Sequence, residues 1–257
     1  MTKGYLDLED NGKIYFENQG TGENIVFIHG FSFDSSTWKH QMQHFADKYA
    51  TLVYDARGFG KSSLPDGPYL PADDLCELLD FLEIRKAHIV GLSMGGGIAT
   101  EFTLKYPDRV LSLSLFDSDL SGFDSTVNWD VHVKSDGLDI AKQNWLNHNL
   151  FNGTRSNKLV MESIDKAVGV YSGWHWIYED PRLYLEPSSL ERLEEIDVPT
   201  LILVGENDLD YFLTIAKLLN RKIRNSKLAI LKEAGHVVNM ENPELCNDYL
   251  EKLFSSV

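Results

Sequence analysis

Short apolar runs alternate with helix-like segments along most of this 257-residue chain. We predict strands at residues 13–18, 24–29, 51–55, 88–92, 110–116, 200–204 and 227–231. Helical patterns occupy residues 35–48, 72–82, 94–105, 212–220 and 243–254. Continuous apolar strands that alternate with helices are typical of a parallel sheet covered on both faces. The alternation therefore predicts an α/β fold with a doubly wound, mostly parallel sheet.

The alternation stops between residues 119 and 190, which we call the cap segment. This stretch is helical in composition, rich in aromatic residues and Asn, and has no strand-like run. We therefore predict a core of residues 1–118 and 191–257, with residues 119–190 inserted as a helical cap after about the sixth strand. A chain of this length fits one domain with an insertion better than two independent domains.

The chain is strongly acidic, with 39 acidic and 24 basic residues and a formal net charge of -15. Such a surface repels phosphate backbones and anionic lipids, so we expect neither nucleic acid nor a membrane as a partner. Residues 1–9 have no apolar core of signal-peptide length, and no run approaches a membrane span. We therefore expect a cytoplasmic protein that is a monomer or a small homo-oligomer.

The segment Gly91-Leu92-Ser93-Met94-Gly95 is the strongest local signal, because it joins a predicted strand to a predicted helix. A serine on such a sharp turn has strained backbone angles and projects its hydroxyl beyond the sheet edge. Glycines are expected on either side because side chains there would collide where helix and strand cross. The turn also directs the Met94 N–H toward the point where negative charge develops during attack on a carbonyl. We predict Ser93 as a nucleophile.

A serine hydroxyl needs a base to take its proton. Of the eight histidines, His236 is the best candidate. It lies in a loop directly after the strand at 227–231, at the carboxyl edge of the sheet, where catalytic groups gather in open α/β folds. The order serine, acid, histidine along the chain is also the one that this architecture requires.

The histidine in turn needs a carboxylate that holds its tautomer and stabilises its charged form. Asp208 follows the strand at 200–204 and is our first choice. Glu206 and Asp210 are close enough in sequence to be alternatives. Asp117 is a structurally different alternative, since it ends the strand before the cap segment and faces the same edge.

An oxyanion formed during the attack needs a second donor besides the Met94 N–H. His29-Gly30-Phe31 ends the first parallel strand, and the Phe31 N–H is well placed to be that donor. We expect His29 to orient this loop rather than to act as a second base. The segment at 55–62 ends in Gly-Lys-Ser, but Asp55 stands where a phosphate-binding loop requires glycine. No spacing matches a zinc site, so neither a metal nor a cofactor is expected.

Aromatic residues are concentrated in the cap segment. Residues 121–190 contain nine of them, including four of the five tryptophans: Trp129, Trp145, Trp174 and Trp176. Most of these rings are expected to pack inside the cap, whose helices must bury an apolar face. However, an insertion over the carboxyl edge must also form part of the wall of the substrate pocket, and such pockets are lined mostly by apolar and aromatic residues. We predict that these tryptophans bind substrate, with the Trp174-His175-Trp176 group as the first candidate.

Several of these motifs together resemble the α/β-hydrolase fold family in their order and spacing. They are His29-Gly30-Phe31, Asp55-x-Arg57-Gly58-x-Gly60-x-Ser62, Gly91-x-Ser93-Met94-Gly95-Gly96, Gly205-Glu206-x-Asp208 and Ala234-Gly235-His236. The resemblance spans nearly all of the chain outside the cap segment. It is closest to the carboxylesterase and enol-lactonase branch, with Glu241-Asn242-Pro243 after the histidine motif. It implies a cofactor-free serine hydrolase that cleaves a small, largely apolar ester or lactone through an acyl-enzyme.

The α/β-hydrolase fold also carries other activities, some of which the sequence disfavours and some of which it leaves as alternatives. Haloalkane dehalogenases and epoxide hydrolases carry Asp where this chain has Ser93, which argues against them. Carbon–carbon bond hydrolases usually carry Asn before the serine and an aromatic residue after the histidine. This chain has Leu92 and Val237 there, which disfavours that activity. Perhydrolases and acyltransferases stay open, as does a ligand sensor that keeps the three catalytic residues but turns over slowly.

Overall fold

The computed structural model describes all 257 residues and contains one eight-stranded sheet. Its strands are β1 (Thr2–Asp7), β2 (Lys13–Gln19), β3 (Glu23–Ile28), β4 (Tyr49–Tyr54), β5 (Ala87–Leu92), β6 (Val110–Phe116), β7 (Thr200–Gly205) and β8 (Ser226–Leu231). They lie in the order β1-β2-β4-β3-β5-β6-β7-β8. All neighbours from β4 to β8 run parallel, and β1 and β2 form an antiparallel edge. The predicted α/β fold with a mostly parallel sheet is confirmed.

The helices are α1 (Lys39–Phe45), α2 (Pro71–Phe81), α3 (Met94–Lys105), α4 (Val133–Asp136), α5 (Leu138–Leu146), α6 (Lys158–Val170), α7 (Trp174–Ile177), α8 (Ser189–Arg192), α9 (Asp210–Lys222), α10 (Val238–Glu241) and α11 (Pro243–Phe254). Short 3₁₀ helices occupy Ser35–Trp38, Pro107–Arg109, Asn149–Phe151 and Leu193–Glu195. Strands β5 and β7 are buried along their whole length, so the centre of the sheet is covered on both faces. None of the helices combines the length and apolar character needed to span a bilayer.

Two elements differ from the sequence prediction. Strand β1 is not predicted, because only Leu6 of this edge strand is buried and the rest gives little apolar alternation. The helix predicted at 35–48 is instead a 3₁₀ turn at Ser35–Trp38 followed by α1, which ends at Phe45. A turn closed by the bond from the Lys48 N–H to Phe45 O follows α1 and leads into β4.

The cap segment connects β6 to the last part of the core. It contains the four α-helices α4 to α7, the 3₁₀ helix Asn149–Phe151 and the start of α8. Helix α6 is the longest of them with 13 residues, and irregular stretches lie between these helices. The one strand-like pairing of the cap segment is an isolated bridge from Arg182 to Tyr69 of the core. As expected from the sequence, no strand of the sheet comes from this part of the chain.

Candidate active site

Ser93 lies in the turn between β5 and α3. Its backbone angles are φ 53° and ψ −118°, a conformation that is strained for any residue other than glycine. A side chain on Gly91 would collide with the carbonyl of Gly95, and one on Gly95 would collide with the carbonyl of Ile28. The predicted strain at the serine and the predicted need for both glycines are confirmed.

His236 bridges Ser93 and Asp208. Its Nε2 is 2.9 Å from Ser93 Oγ, and its Nδ1 is 2.9 Å from Asp208 Oδ2. The His236 side chain is 2% exposed and that of Asp208 is fully buried. Since a carboxylate can only accept, Nδ1 carries the proton and Nε2 is free to accept the Ser93 O–H. The Ser93 hydroxyl and the Asp208 carboxylate are thus joined through the two ring nitrogens of His236.

Asp208 is the only one of the four acidic candidates that contacts this histidine. Its Oδ1 also accepts a hydrogen bond of 2.7 Å from the Leu209 N–H, which fixes the plane of the carboxylate. Glu206 and Asp210 are exposed.

Asp117 is fully buried between the loops that carry Asp208 and His236. Its Oδ1 accepts from the Gly205 N–H and its Oδ2 from the Val238 N–H, each at 3.0 Å. Burial, together with the negative charge of Asp208, raises the pKa of Asp117 well above its ordinary value. Asp117 therefore ties the end of β6 to both loops without reaching the histidine itself.

The N–H groups of Phe31 and Met94 have no hydrogen-bond partner in the protein. Both residues line the same cavity as Ser93, Phe31 from the loop after β3 and Met94 from the first position of α3. Free backbone donors beside a nucleophile suit an oxygen that becomes negatively charged.

His29 holds the Phe31 loop against its neighbour. Its Nδ1–H donates to Gly30 O at 2.8 Å, and its Nε2 accepts from the Ala56 N–H at 2.9 Å. With both ring nitrogens used in this way, His29 is not available as a base. The prediction that it orients the loop is confirmed.

Glu241, which was not among the predicted site residues, supports the loop that carries His236. Its Oε2 accepts from the Gly235 N–H at 2.9 Å, and its Oε1 accepts from the Val237 N–H and from the Thr154 hydroxyl of the cap segment. These bonds brace the backbone on both sides of His236. In the sequence, Glu241 belongs to the Glu241-Asn242-Pro243 motif of the family resemblance, which by itself indicates no contact with the histidine loop.

A cavity of about 470 Å³ opens beside Ser93 and His236. Eleven of its 18 lining residues are hydrophobic, so most of its wall would favour an apolar group. The cap segment contributes three of the four predicted tryptophans, namely Trp129, Trp145 and Trp176.

Trp174 does not line this cavity, so its predicted place in the substrate-binding wall is wrong. Its ring packs against the edge of His175 and beside Tyr178, with ring centroids 4.9 and 5.8 Å apart. Two residues that are two positions apart on a helix are rotated by about 200° around its axis, so their side chains face nearly opposite directions. Since Trp176 of the same short helix α7 faces the cavity, Trp174 faces away from it.

Part of the cavity wall is polar, which the sequence motifs did not predict. Asp119, Asp180 and Arg182 all line the cavity. Arg182 Nη2 donates to Glu101 Oε2 at 2.9 Å, and Glu101 lies fully buried in α3. An acidic residue in the middle of an apolar helix indicates a buried partner, which was the available signal. No group of three or more His, Cys, Asp or Glu side chains is placed to hold a metal ion.

A sequence profile of the alpha/beta hydrolase family matches residues 25–249. The chain belongs to the α/β hydrolase family. This α/β hydrolase is 28% identical over 238 residues to 3-oxoadipate enol-lactonase 2 of Acinetobacter baylyi, covering 88% of this chain and 86% of that one. The family resemblance seen in the sequence motifs is thereby confirmed.

Two solved structures are similar to this α/β hydrolase over its whole length. A thermophilic esterase from Thermogutta terrifontis is 26% identical, with a TM-score of 0.84 over 100% of this chain and 99% of the other. A bromoperoxidase from Bacillus anthracis is 25% identical, with a TM-score of 0.85 over 99% of this chain and 100% of the other.

Proposed function

We propose that this α/β hydrolase cleaves a small, largely apolar carboxylic ester or lactone through an acyl-enzyme on Ser93. The observation that carries the proposal is the His236 ring, which hydrogen-bonds to Ser93 and to Asp208 through opposite nitrogens, beside an aromatic cavity. The similarity to an enol-lactonase and to an esterase supports the ester or lactone class.

In the first half of the reaction, Ser93 Oγ attacks the carbonyl carbon while His236 Nε2 takes the hydroxyl proton. Asp208 stabilises the imidazolium that forms and keeps Nδ1–H directed toward itself. The carbonyl oxygen becomes an oxyanion, to which the free N–H groups of Phe31 and Met94 donate hydrogen bonds. His236 then gives its proton to the leaving alkoxide, and the alcohol departs. In a lactone the alcohol stays attached to the acyl group.

In the second half, water takes the place of the serine hydroxyl. His236 removes a proton from the water as it attacks the acyl carbon, and the same two N–H groups bind the second oxyanion. Collapse of this intermediate returns the proton to Ser93 Oγ and releases the carboxylic acid.

Replacement of the nucleophile tests the proposal. Ser93→Ala removes the atom that forms the acyl-enzyme, so turnover of p-nitrophenyl esters and of a lactone panel should fall by roughly 10⁴-fold or more. A fluorophosphonate probe should label the wild-type protein at Ser93 and fail to label this variant. Ser163→Ala, at an exposed position of α6, is the matched control and should keep wild-type rates. Unchanged labelling or turnover in Ser93→Ala would overturn the proposal.

The same experiment addresses the slow ligand sensor. Steady release of several product molecules per second is ordinary for enzymes and would disfavour a sensor. Turnover far below one per second with every ester and lactone tested, but with Ser93 still labelled, would favour it.

The similarity to a bromoperoxidase favours a second candidate, perhydrolysis. Hydrogen peroxide would then attack the acyl-enzyme in place of water and release a peracid, with His236 taking the proton as before. Peracid formation from an ester and hydrogen peroxide can be followed through oxidation of bromide. A peracid rate above the carboxylic acid rate would support this candidate, and its absence would leave hydrolysis as the activity.

A further inference from the structure

A hydrogen bond links the cap segment to the loop that carries Phe31. The indole Nε1–H of Trp145 donates to Ser32 Oγ at 2.8 Å. Both partners are buried, with 4% of Trp145 and none of Ser32 exposed. This is the only hydrogen bond that Ser32 makes, and the two residues are 113 positions apart in the chain.

His29 anchors the start of the loop at Gly30 O, but the two residues that follow have no such support. Neither Phe31 nor Ser32 makes a backbone hydrogen bond, and the turn is closed by a long bond of 3.3 Å from the Phe33 N–H to Gly30 O. Ser32 has φ +63°, in the left-handed region that residues with a side chain rarely occupy. Such a conformation persists only where the surroundings hold it in place.

The Phe31 side chain is also held mainly from the cap. Its ring makes edge-to-face contacts with Trp145, Tyr171 and His175 at centroid distances of 5.6, 5.8 and 5.7 Å. One ring from the core, Phe59, completes this set at 5.6 Å. Of these four ring contacts of Phe31, three therefore come from the cap segment and one from the core.

We propose that Trp145 is a positioning residue, which holds the Phe31 N–H in place for the oxyanion through its bond to Ser32. The cap segment then completes the active site in addition to walling the pocket. This inference rests on the proposed function, since it assigns the Phe31 N–H to the oxyanion of that reaction. It adds a second role to the substrate contact predicted for Trp145 from the sequence.

Trp145→Phe tests the inference, because it keeps an aromatic ring in the pocket wall while removing the N–H donor together with part of the indole. With p-nitrophenyl acetate, kcat should fall by about 10- to 100-fold, since complete loss of one oxyanion donor costs about 10²- to 10³-fold. KM should change by less than about threefold, because the bond acts on the transition state rather than on bound substrate. The Ki of a trifluoromethyl ketone, whose adduct with Ser93 carries an oxyanion, should rise by the same factor as kcat/KM falls.

Ser32→Ala removes the other partner of the bond and should reproduce both effects. The double variant should be no worse than either single one, because both changes remove the same interaction. Trp174→Phe is the matched control: it is the same substitution in the cap segment, at a ring that does not face the cavity, and it should keep the wild-type kcat and Ki. Thermal unfolding of all four variants shows whether each is folded.

A result in which folded Trp145→Phe and Ser32→Ala keep the wild-type kcat and Ki, or change KM alone, would overturn the inference. If Ser93→Ala abolishes turnover in the same series, the proposed function survives that result. If Ser93→Ala keeps turnover, the proposed function fails instead, whatever the Trp145 variants show.

Discussion

Asp208 and Asp117 lie at the ends of neighbouring strands, and both are buried acceptors of backbone N–H groups. Asp208 shares its carboxylate between the Leu209 N–H and His236. Both carboxylate oxygens of Asp117 accept hydrogen bonds from backbone, one from the Gly205 N–H and one from the Val238 N–H. The sequence alone left both as candidates for the acid, because each follows a strand and faces the same edge. Hydrogen-bond partners distinguish them, and they depend on where the loops of the fold lie.

We predict that Asp208→Asn lowers kcat by roughly 10³- to 10⁴-fold with the fold intact, because an amide fails to hold the reactive tautomer of His236. Asp117→Asn should lower kcat by less than about tenfold, since a carboxylate beside the histidine is retained. It should instead reduce the free energy of unfolding by about 1–3 kcal/mol, because its NH₂ group meets a backbone N–H. Ester kinetics and urea unfolding of both variants measure these effects. A larger loss of kcat in folded Asp117→Asn would assign the acid to β6.

At the scale of elements, helix α7 shows what an aromatic pattern does and does not predict. A cluster of tryptophans in the insertion correctly indicated an aromatic wall, and three of the four line the cavity. Which side of a four-residue helix faces the pocket depends on how the cap segment packs, and the sequence has too few residues there to show a helical period.

We predict that Trp129→Ala and Trp176→Ala change the ratio of kcat/KM between short- and long-chain p-nitrophenyl esters. Loss of an apolar pocket contact is worth about 1–3 kcal/mol, or roughly 10- to 200-fold. Trp174→Ala should leave this ratio at its wild-type value, because its ring lies outside the cavity. Should Trp174→Ala shift the ratio and the other two variants not, the pocket would be built differently from the one described.

At the scale of the whole molecule, His175 joins the cap segment to the core. Its ring stacks on Phe59 with centroids 4.3 Å apart, and its Nδ1 is hydrogen-bonded to the Tyr171 hydroxyl at 2.8 Å. Burial lowers the pKa of His175 to about 4, although the nearby Asp180 acts in the opposite direction. The folded protein therefore keeps this histidine neutral at pH values where the unfolded chain protonates it.

The sign of the resulting pH dependence follows from proton binding. Between pH 6.5 and 4 the unfolded chain holds more protons at His175 than the folded protein, so stability falls as the pH falls. We predict that the free energy of unfolding drops from pH 7 to pH 5 by up to about 2 kcal/mol more in wild type than in His175→Gln. Urea unfolding at both pH values measures this, and equal drops in the two proteins would contradict it.

The sequence predicted those parts of the fold and the site that depend on local patterns. The alternation of strands and helices, the strained turn at Ser93 and the free Met94 N–H all follow from neighbouring residues. The missed features join distant parts of the chain, such as the bond between Arg182 and Glu101, which are 81 positions apart. Strand β1 was missed for another reason: an edge strand buries so little that its pattern is weak.

The bond from Trp145 to Ser32 limits how an insertion of this kind can be exchanged. A segment that only covered a pocket could be grafted from one relative to another, and the graft would bring its substrate range with it. Here an exchanged cap segment must also place the indole N–H of Trp145 within hydrogen-bond reach of Ser32. Without that bond, the Phe31 loop of the receiving core loses its support. We therefore expect useful diversity to accumulate in the stretches after α5, while α5 itself and the Phe31 loop have to change together.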